Sequence, residues 1–448
     1  MTHEPVATQP YVAVGVIDGS KTIRLRLNGR FTVDGLGPLS GASTAHAEEG
    51  MVVLTDERQQ ELVRAPAIKL VAEKDTTFTL FGVTIGKRFH WEREEDQTFQ
   101  GNLILKLREQ QTIVAVNEIP LEDYLKSVIS SEMSATAPLE FLKSHAIMSR
   151  SWLLAALEKR KSSSEPYMST ECFDEVKGEV ARWYDREGHE FFDVCADDHC
   201  QRYQGITKIT SGEAESAVRQ TYGLVMTYKG MVCDARYSKA CGGLTENFAT
   251  AWDDRSVAYL VSVPDAPVAH DPISTEEEAT RWILSSPEAY CHAEDQDLLK
   301  KILPDFDRET THFFRWRIEY PREELEDIIR KKSGFDVGIL REILPLHRGP
   351  SGRISRLKIT GSKRSIIVGK ELEIRRWLSP THLYSSAFIV KTRRDSQGEI
   401  AAFTFVGAGW GHGVGLCQIG AAVMASRSFS AEEILKHYFP GVELRKIY

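Results

Sequence analysis

Hydrophobic and polar positions alternate with a period of two through most of the first 118 residues. The pattern is clearest in the runs "YVAVGVI", "TIRLRLNGRFTV", "IKLVAE", "TFTLFGVTIG" and "LILKLREQQTIVAV". Such alternation of β-branched and aromatic residues with polar ones is typical of strands that bury one face. Asn28-Gly29 predicts a tight turn between two of these runs. We therefore expect a β-rich N-terminal region over residues 1–110.

The hydrophobic period becomes helical after residue 119. Pro120 can occupy the first turn of a helix carrying residues 121–130, and Pro138 can open a longer helix. Glu132 then lies at the end of the first helix, before a Ser/Ala/Thr connection. A carboxylate at this place can point into a cleft while the backbone is held on both sides. The alternative is an ordinary solvated acid at a helix end.

Further along the chain, helices and strands are mixed. A helix is predicted over 213–222 and a hairpin turning at Lys229-Gly230. Charged helices then alternate with strands as far as residue 400, which indicates an inserted α+β subdomain. The chain closes with a glycine-rich loop, a helix from about Cys417 and a helix capped by Ser430.

Taken together, these patterns predict an α+β fold with a mixed, β-rich N-terminal region. The expected segments are the N-terminal region 1–110, the first part of a core at 111–262, an α+β insertion at 263–400, and the C-terminal part of the core at 401–448. A chain of 448 residues has room for more than one hydrophobic core.

Charge and hydropathy exclude two classes of partner. Lysine and arginine total 56 against 64 acidic residues, so the formal charge is −8 and no basic footprint for nucleic acid is expected. No run reaches the roughly 18 apolar residues of a membrane span. The first residues, "MTHEPVATQPYVAVGVIDG", have neither a positive n-region nor a long apolar h-region, so no signal peptide is predicted.

The segment "HEFFDVCADDHC" brings metal-binding residue types together. His189, Cys195, His199 and Cys200 lie within twelve residues, a donor set that suits tetrahedral zinc. Reduced surface cysteines are the alternative. Adjacent side chains of an extended strand point to opposite faces, so we expect His189, Cys195 and Cys200 as ligands and His199 to face elsewhere. The sequence identifies no fourth ligand.

Two further segments carry candidate binding groups. "GWGHGVG" surrounds His412 with glycines that permit close backbone approach, but it lacks the lysine and hydroxyl of a phosphate-binding loop. A tight turn with a satisfied histidine is the alternative. "ARYSKACGGLTE" offers Tyr237, Ser238 and Glu246 at a strand end. A Ser238/His412 catalytic pair is not favoured, because no G-x-S-x-G elbow is present.

Four segments, in order, resemble the signatures of one family. They are "IPLEDYLKSVISSEMSATAPLEFLKSHAIMSRSWLLA", "DVCADDHCQRYQG", "AVRQTYGLVMTYKGMVCDARYSKACGGLTENFATAW", and "GWGHGVGLCQIGAAVMA" with "EILKHYFPG". The family is that of stage II sporulation protein D (SpoIID), which includes the LytB-type amidase enhancers. The resemblance covers most of 115–255 and 405–448, and it implies a SpoIID-like core split by the α+β insertion.

The resemblance implies a lytic transglycosylase that cuts peptidoglycan glycan strands whose stem peptides have been removed. Glu132 would be its general acid and base, leaving a 1,6-anhydro end on N-acetylmuramic acid. The rival function within the same family is a non-catalytic cell-wall protein that stimulates an amidase. Either function implies a location in the cell envelope.

The resemblance also assigns the remaining site residues. A structural zinc ion near the cleft would be held by His189, Cys195 and Cys200, while a zinc hydrolase centre is disfavoured because thiolate-rich sites are usually closed. Arg150 could meet the lactyl carboxylate of muramic acid, or be an ordinary solvated arginine. Cys417 stands where serine is common in the family. The residues expected to line or shape the substrate groove are His199, Tyr237, Ser238, Gly242, Gly243, His412 and Gln418.

Overall fold

The computed structural model describes residues 8–33, 36–87, 91–109, 111–162, 170–174, 178–183, 189–308 and 312–448. The chain divides into two compact units, each discontinuous in sequence. Unit 1 comprises residues 1–162, 188–225 and 445–448, and unit 2 comprises 163–187 and 226–444. The four-segment division expected from the sequence remains a prediction.

Ten strands precede the first helix in the described part of the chain. They are β1 (Tyr11–Ser20), β2 (Thr22–Val33), β3 (Leu36–Glu48), β4 (Met51–Asp56), β5 (Glu61–Ala65), β6 (Ala67–Ala72), β7 (Thr77–Ile85), β8 (Arg93–Gln100), β9 (Asn102–Glu109) and β10 (Thr112–Pro120). The β-rich N-terminal region is confirmed. Its alternation of buried and exposed positions is clearest in β2 and β6, as a half-buried sheet requires.

The turn predicted at Asn28-Gly29 is not present. β2 runs through both residues, and its partner β3 continues alongside, with Leu27 opposite Gly41 and Phe31 opposite Leu39. The register shifts between these two pairs. The two residues therefore form a bulge within one strand, where glycine takes a φ of +127°.

The elements that follow β10 are mostly helical at first. They are α1 (Leu121–Glu132), α2 (Leu139–Ser162), β11 (Thr170–Asp174), β12 (Glu179–Trp183), β13 (Val194–Cys195), α3 (Gly212–Gln220), β14 (Leu224–Tyr228), β15 (Met231–Val232), β16 (Tyr237–Ser238) and α4 (Phe248–Ala251). The predicted helices after Pro120 and Pro138 are present, and so is the hairpin at Lys229-Gly230.

The last part of the chain alternates helices and strands, as its charge pattern predicts. The elements are α5 (Glu276–Leu284), α6 (Gln296–Ile302), a 3₁₀ turn (Asp305–Asp307), β17 (Arg315–Pro321), α7 (Arg322–Ser333), β18 (Leu340–Arg348), β19 (Ile354–Gly361), β20 (Ser365–Gly369), α8 (Glu371–Trp377), β21 (Phe388–Arg394), β22 (Ile400–Ala408), β23 (Leu416–Cys417), α9 (Gln418–Ser426), α10 (Ala431–Tyr438) and β24 (Glu443–Lys446).

Unit 1 is built on one large sheet. Its strands follow the order β13-β1-β10-β9-β6-β2-β3-β4-β5, with β7 joining β2 to β8. Nearly all pairs are antiparallel, but β13 lies parallel to β1, with Cys195 opposite Gly15. β13 is an edge strand of this sheet. Because it pairs with β1, the residues around Cys195 are anchored to the N-terminal region.

A column of aromatic rings links this sheet to α1. Phe78 stacks on Phe99 with ring centroids 5.3 Å apart, and Phe99 lies 5.9 Å from Tyr203. Tyr203 in turn stacks on Tyr124 of α1 at 5.2 Å. Offset rings at these separations are favourable beyond the area they bury, so the column fixes α1 against the sheet.

Unit 2 contains smaller sheets around a separate core. One has the order β11-β12-β20-β19-β18, and another has β17-β22-β21. Their buried side chains include Trp316, Leu357, Trp377 and Phe403. Together with unit 1, this confirms the α+β fold class. Among the described helices, none combines the length and apolar character that crossing a bilayer requires.

Candidate active site and metal centres

Glu132 is the last residue of α1, as the sequence predicts. The helix ends because Met133 is extended, with φ −132° and ψ 178°. The Glu132 side chain is 7% exposed, and its Oε1 accepts a hydrogen bond of 2.9 Å from the backbone N–H of Arg202. The carboxylate is thus held by unit 1 itself.

The segment that holds Glu132 is itself fixed on the sheet. The N–H of Ile206 donates to the carbonyl of Thr98 at 2.8 Å. A Cβ at Gly205 would lie 2.1 Å from that carbonyl oxygen, so only glycine permits this approach. Tyr203 occupies the aromatic column. The position of the Arg202 N–H therefore follows from packing on both sides of it.

Asp198 is a second carboxyl group near Glu132, and the sequence analysis missed it. Its Oδ1 accepts from Nε of Arg202 at 2.5 Å. Burial raises the pKa of Asp198 to about 7 against the opposing effect of Arg202, and the Glu132 charge adds to the rise. The guanidinium of Arg202 also lies 4.6 Å from the ring centre of Trp91. The sequence feature that could have indicated Asp198 is the pair of adjacent acids, Asp197 and Asp198, between Cys195 and Cys200.

The four residues of the His/Cys cluster (His189, Cys195, His199, Cys200) come together in unit 1. Their potential ligand atoms all lie within 4.8 Å of one another. Nε2 of His189 is 3.3 Å from the Cys200 sulfur, and Nδ1 of His199 is 3.4 Å from it. Nδ1 of His199 is also 3.8 Å from the Cys195 sulfur.

The expectation that His199 faces away from the cluster is wrong. It assumed an extended chain, whereas the N–H of Cys200 donates to the carbonyl of Asp197 across a turn. In a turn, adjacent side chains no longer alternate between two faces. His199 is therefore the candidate fourth ligand that the sequence left unidentified, and a substrate contact for it is not supported.

The donor set of this cluster fits a closed tetrahedral metal site. Two cysteines and two histidines form one of the standard zinc ligand sets. In the protein alone, the neighbouring Cys200 thiol and burial raise the pKa of Cys195 to about 11. A bound divalent cation reverses this preference, because it stabilises thiolates directly.

Arg150 has a different role from the predicted one. It is fully buried, and its Nε and Nη2 donate to the two carboxylate oxygens of Glu122 at 2.9 and 2.6 Å. Its Nη1 donates to the carbonyl of Leu224 at 2.8 Å. A buried bidentate pair of this kind leaves no guanidinium edge for a ligand, so Arg150 is part of the core of unit 1.

In unit 2, the glycine loop (residues 409–415) lies against the segment 236–246. β16 pairs with β23 in parallel, with Tyr237 opposite Leu416 and Ser238 opposite Cys417. Single bridges join Ala240 to Trp410 and Glu246 to Val414. The structure therefore brings the two predicted motifs together. Ser238 is 6% exposed, and its Oγ has no hydrogen-bond partner among the described residues.

His412 is committed to the loop itself. Its Nδ1 accepts from the Val414 N–H at 3.0 Å, and its ring makes a further hydrogen bond with the Tyr237 backbone. Removal from water lowers its pKa well below the usual range, and Arg236 and Arg353 lower it further. His412 is thus a neutral group that shapes the loop, in agreement with the alternative of a tight turn with a satisfied histidine. Its expected place in the substrate groove stays a prediction.

Gly242 and Gly243 have structural explanations, and Gln418 is buried. A Cβ at Gly242 would lie 2.9 Å from the backbone N of Gly409, and one at Gly243 would lie 2.8 Å from Trp282. Both have positive φ, 85° and 107°. They permit close packing within unit 2, rather than approach to a ligand. Gln418 begins α9 and is 2% exposed.

A buried polar network supports the glycine loop, and the sequence analysis found only part of it. Arg353 donates to the carbonyls of Gly411 and Cys241 and to Oγ of Ser351. Ser351 donates to Oε2 of Glu246 at 2.6 Å. Burial lowers the pKa of Arg353 and raises that of Glu246. Glu246, predicted as a binding group, is therefore an internal one.

Comparison with known proteins gives two family matches. A model described as stage II sporulation protein matches residues 109–228. Stage II sporulation protein D of Bacillus amyloliquefaciens is 24% identical over 331 residues, covering 74% of this chain and 75% of the relative. The relationship to the SpoIID and LytB family is confirmed. Glu132 and the His/Cys cluster both lie within the matched SpoIID domain.

Two other relatives and a second family match extend the comparison. An uncharacterized protein of Brachyspira hyodysenteriae is 24% identical over 425 residues, covering 92% of this chain and 89% of the relative. The amidase enhancer of Bacillus subtilis is 25% identical over 336 residues, covering 71% of this chain but 40% of the enhancer. A model described as a domain of unknown function (DUF8618) matches residues 246–415, which include the whole of the predicted insertion at 263–400.

Proposed function

We propose that this protein is a lytic transglycosylase that cleaves peptide-free peptidoglycan glycan strands with Glu132 as its acid and base. The observation that carries the proposal is the placement of Glu132. It ends α1 inside the SpoIID domain, largely buried, with its Oε1 held by the Arg202 N–H. A carboxyl group fixed in this way is suited to proton transfer at one defined position.

The reaction needs one carboxyl group acting twice. Protonated Glu132 donates its proton to the glycosidic oxygen after N-acetylmuramic acid, and the bond from that oxygen to C1 breaks. The C6 hydroxyl oxygen of the same sugar then bonds to C1, and the Glu132 carboxylate takes the hydroxyl proton. The product is a 1,6-anhydro end, and Glu132 returns to its starting state. No water is consumed, which differs from ordinary glycoside hydrolysis.

The two hydrogen bonds made by Arg202 support this role for Glu132. Its backbone N–H binds the Glu132 carboxylate while its guanidinium binds Asp198. The first contact orients the carboxyl group, and the second keeps a cation beside two acids in a buried place. Arg202 is thus a positioning residue in the proposed mechanism.

We also propose that the His/Cys cluster binds a structural Zn²⁺ ion. Four donors within 4.8 Å give a complete tetrahedral set, which leaves no open position for catalysis. The ion would crosslink residues 189–200, whose edge strand β13 is paired with β1. Since Arg202 follows two residues after Cys200, this crosslink would stabilise the backbone that holds Glu132.

The second candidate function is non-catalytic enhancement of a cell-wall amidase. It is favoured by the similarity to the Bacillus subtilis amidase enhancer. On this proposal, the surface around Glu132 binds glycan without cutting it, and the partner is an amidase that removes stem peptides. Both candidates imply peptidoglycan as the ligand and the cell envelope as the location.

The deciding experiment is a digest of purified peptide-free glycan strands analysed by mass spectrometry. We expect anhydro-ended fragments from the wild-type protein. Glu132→Gln should reduce the rate by about 10²- to 10⁴-fold, the usual contribution of a positioned acid and base. The matched control is Glu215→Gln, an exposed acid on α3 of the same unit, which should cleave normally.

Intact glycan in every digest would contradict the transglycosylase proposal. If the wild-type protein still sediments with the glycan and accelerates a purified amidase, the enhancer function replaces it. Equal cleavage by the wild-type protein and Glu132→Gln would instead remove Glu132 from the mechanism.

A further inference from the structure

A second group of metal-binding residue types lies in unit 2, far from Glu132 in sequence. The Cys/Asp cluster consists of Cys241, Asp265, Cys291 and Cys417, all buried. Their potential ligand atoms lie within 4.8 Å of one another. We infer that this cluster is a closed structural site for a divalent zinc-class ion, held by three thiolates and one carboxylate.

The spacing of the sulfurs agrees with metal coordination. The sulfurs of Cys241 and Cys291 are 3.8 Å apart. Tetrahedral Zn²⁺ with zinc–sulfur bonds of about 2.3 Å places two thiolates about 3.8 Å apart. A disulfide requires about 2.05 Å, so the two sulfurs are not bonded to each other.

Backbone donors are directed at the ligand atoms. The Cys241 N–H donates to the Cys417 sulfur at 3.3 Å, and the Gly243 N–H donates to the Cys241 sulfur at 3.4 Å. The Cys291 N–H donates to Oδ2 of Asp265 at 2.8 Å. Such donors stabilise anionic sulfur and oxygen, and they are the usual second layer of contacts around a structural metal.

If the three cysteines were buried only as small hydrophobic side chains, the presence of Asp265 among them would have no explanation. Asp265 is fully buried, and no ion pair reaches it from the described residues. Its oxygens accept hydrogen bonds from the Tyr438 hydroxyl and the Cys291 N–H. Buried cysteines alone are common as small hydrophobic residues. A buried carboxyl group beside them adds an oxygen ligand to the three sulfurs, and a bound cation would offset the cost of its buried charge.

The surroundings also suit a cluster with net negative charge. The half-buried guanidinium of Arg315 donates to the carbonyls of Gly242, Ser285 and Trp282, but no acidic side chain pairs with it in the described part of unit 2. Burial lowers the pKa of Arg315 to about 10, whereas ionised Cys291 and Cys241 raise it. A metal–thiolate centre would supply the negative charge that Arg315 lacks.

The ligands are positioned by backbone contacts as well as by their own side chains. The Asp265 N–H donates to the Gly243 carbonyl at 3.0 Å, and the Tyr290 N–H donates to the Asp265 carbonyl. Asp265 and Cys291 lie inside the DUF8618 match, while Cys241 and Cys417 flank its two ends. An ion here would therefore tie the entry and exit of that segment to its interior in the folded state, and its binding free energy would add to the stability of the fold.

The test measures metal in the full chain, purified under reducing conditions and reconstituted with Co²⁺ or Zn²⁺. The background is Cys195→Ser, which removes a ligand of the His/Cys cluster. We expect this chain to keep one equivalent of metal, with thiolate-to-cobalt charge-transfer absorption and the strong visible bands of tetrahedral Co²⁺. Adding Cys291→Ser should remove both the equivalent and the absorption.

Two further variants test whether misfolding, and not loss of a ligand, explains the loss of metal in Cys291→Ser. Cys233→Ser is the matched control, since Cys233 is a buried free cysteine of unit 2 outside the cluster, and it should keep the metal. Asp265→Asn preserves the shape of the ligand but weakens its charge, and it should lower metal affinity by more than about tenfold.

The inference is overturned if the Cys195→Ser chain binds no stoichiometric metal, or if Cys291→Ser and Cys233→Ser retain it equally. A non-reduced mass lower by two hydrogens, with the matching thiols missing, would assign Cys241 and Cys291 to a disulfide instead. Because the readout is metal content and absorption, the outcome is independent of whether Glu132 cleaves glycan.

Discussion

The two units bury an arginine in different ways. In unit 1, Arg150 forms a direct bidentate pair with Glu122. In unit 2, Arg353 donates to carbonyls of the glycine loop and of Cys241, and it reaches Glu246 only through Ser351. Both guanidiniums are fully buried. One charge is thus paired directly with a carboxylate. The other is bound by backbone carbonyls and a hydroxyl, and the charges of Glu371 and Glu246 act on it without a direct hydrogen bond.

This difference separates two kinds of structural requirement. The Arg150–Glu122 pair in unit 1 constrains two side chains, and the backbone on both sides of it is regular helix. The network in unit 2 requires carbonyls to point at Arg353, and the loop achieves this with glycines at positive φ. We expect unit 1 to be sensitive to charge and unit 2 to be sensitive to backbone shape.

The largest effect should come from breaking the direct pair. Arg150→Met leaves Glu122 buried without a cation, although the Tyr448 hydroxyl and the Gly223 N–H still donate to it. We expect a loss of about 3–5 kcal/mol of unfolding free energy. Arg353→Met leaves two carbonyls and a hydroxyl without a donor, and it also removes a cation that acts on Glu246 and Glu371 without direct contact. It should cost about 2 kcal/mol. Urea unfolding, with hydrogen exchange read peptide by peptide, assigns each loss to its unit.

The control for this comparison is the double variant Arg150→Met, Glu122→Gln. Removing the stranded charge should recover at least half of the loss. Equal costs for Arg150→Met and Arg353→Met, or no recovery in the double variant, would show that the two arginines are held in the same way.

A smaller effect should follow from adding one methyl group to the glycine loop. Gly413→Ala places a Cβ 2.3 Å from Cζ of Arg353, at a φ of +76°. We expect a loss of about 2–3 kcal/mol, part from the left-handed backbone and part from displacing the guanidinium. Thermal and urea unfolding measure it.

The matched control is Gly398→Ala. Gly398 has a similar φ of +84°, but no atom lies within 4 Å of the added Cβ. It should cost about 1 kcal/mol, the backbone contribution alone. If both substitutions cost the same, the close approach to Arg353 contributes nothing.

The smallest effect concerns pH and His412. Its folded-state pKa is below the ordinary value of 6.5, so the unfolded chain binds the proton more readily. Above about pH 6.5, His412 is neutral in both the folded and the unfolded chain and does not change the free energy of unfolding. Below about pH 6.5, protonation of the unfolded chain lowers the free energy of unfolding. We expect a loss of about 1 kcal/mol between about pH 7 and about pH 5.5.

His412→Asn provides the comparison, because it keeps an acceptor for the Val414 N–H and cannot titrate. The difference between wild type and variant should grow on acidification, with the wild type losing more. Parallel pH curves would mean that His412 is not held neutral. Glu246 has a raised pKa and therefore stabilises the folded state as pH falls. Because Glu246 is present in both proteins, its contribution cancels when the variant is subtracted from the wild type.

Local sequence patterns predicted much of the fold and part of the site. The end of α1 at Glu132 follows from Pro120, the helical period and the Ser/Ala/Thr connection, all of which act within one or two turns. The His/Cys cluster was visible because its residues lie within one short segment. The predicted direction of the His199 side chain was wrong because a turn and a strand place adjacent side chains differently.

Two other errors share one physical cause. Asn28-Gly29 has the composition of a hairpin turn, but pairing with β3 on both sides makes it a bulge. Arg150 has the spacing of a surface helix residue, but Glu122 lies across the helix pair and removes it from solvent. In each case a partner distant in sequence decided the outcome.

By itself, the sequence determined many of the helices and strands, the helix end that carries Glu132 and the resemblance to the SpoIID family. Only the tertiary structure decided which charges are buried and paired, that Asp198 and Arg202 adjoin Glu132, and that Cys241, Asp265, Cys291 and Cys417 converge. The reason is the range of the interactions. Propensities, caps and turn chemistry act between near neighbours, whereas burial and ligand geometry depend on segments joined only when the chain folds.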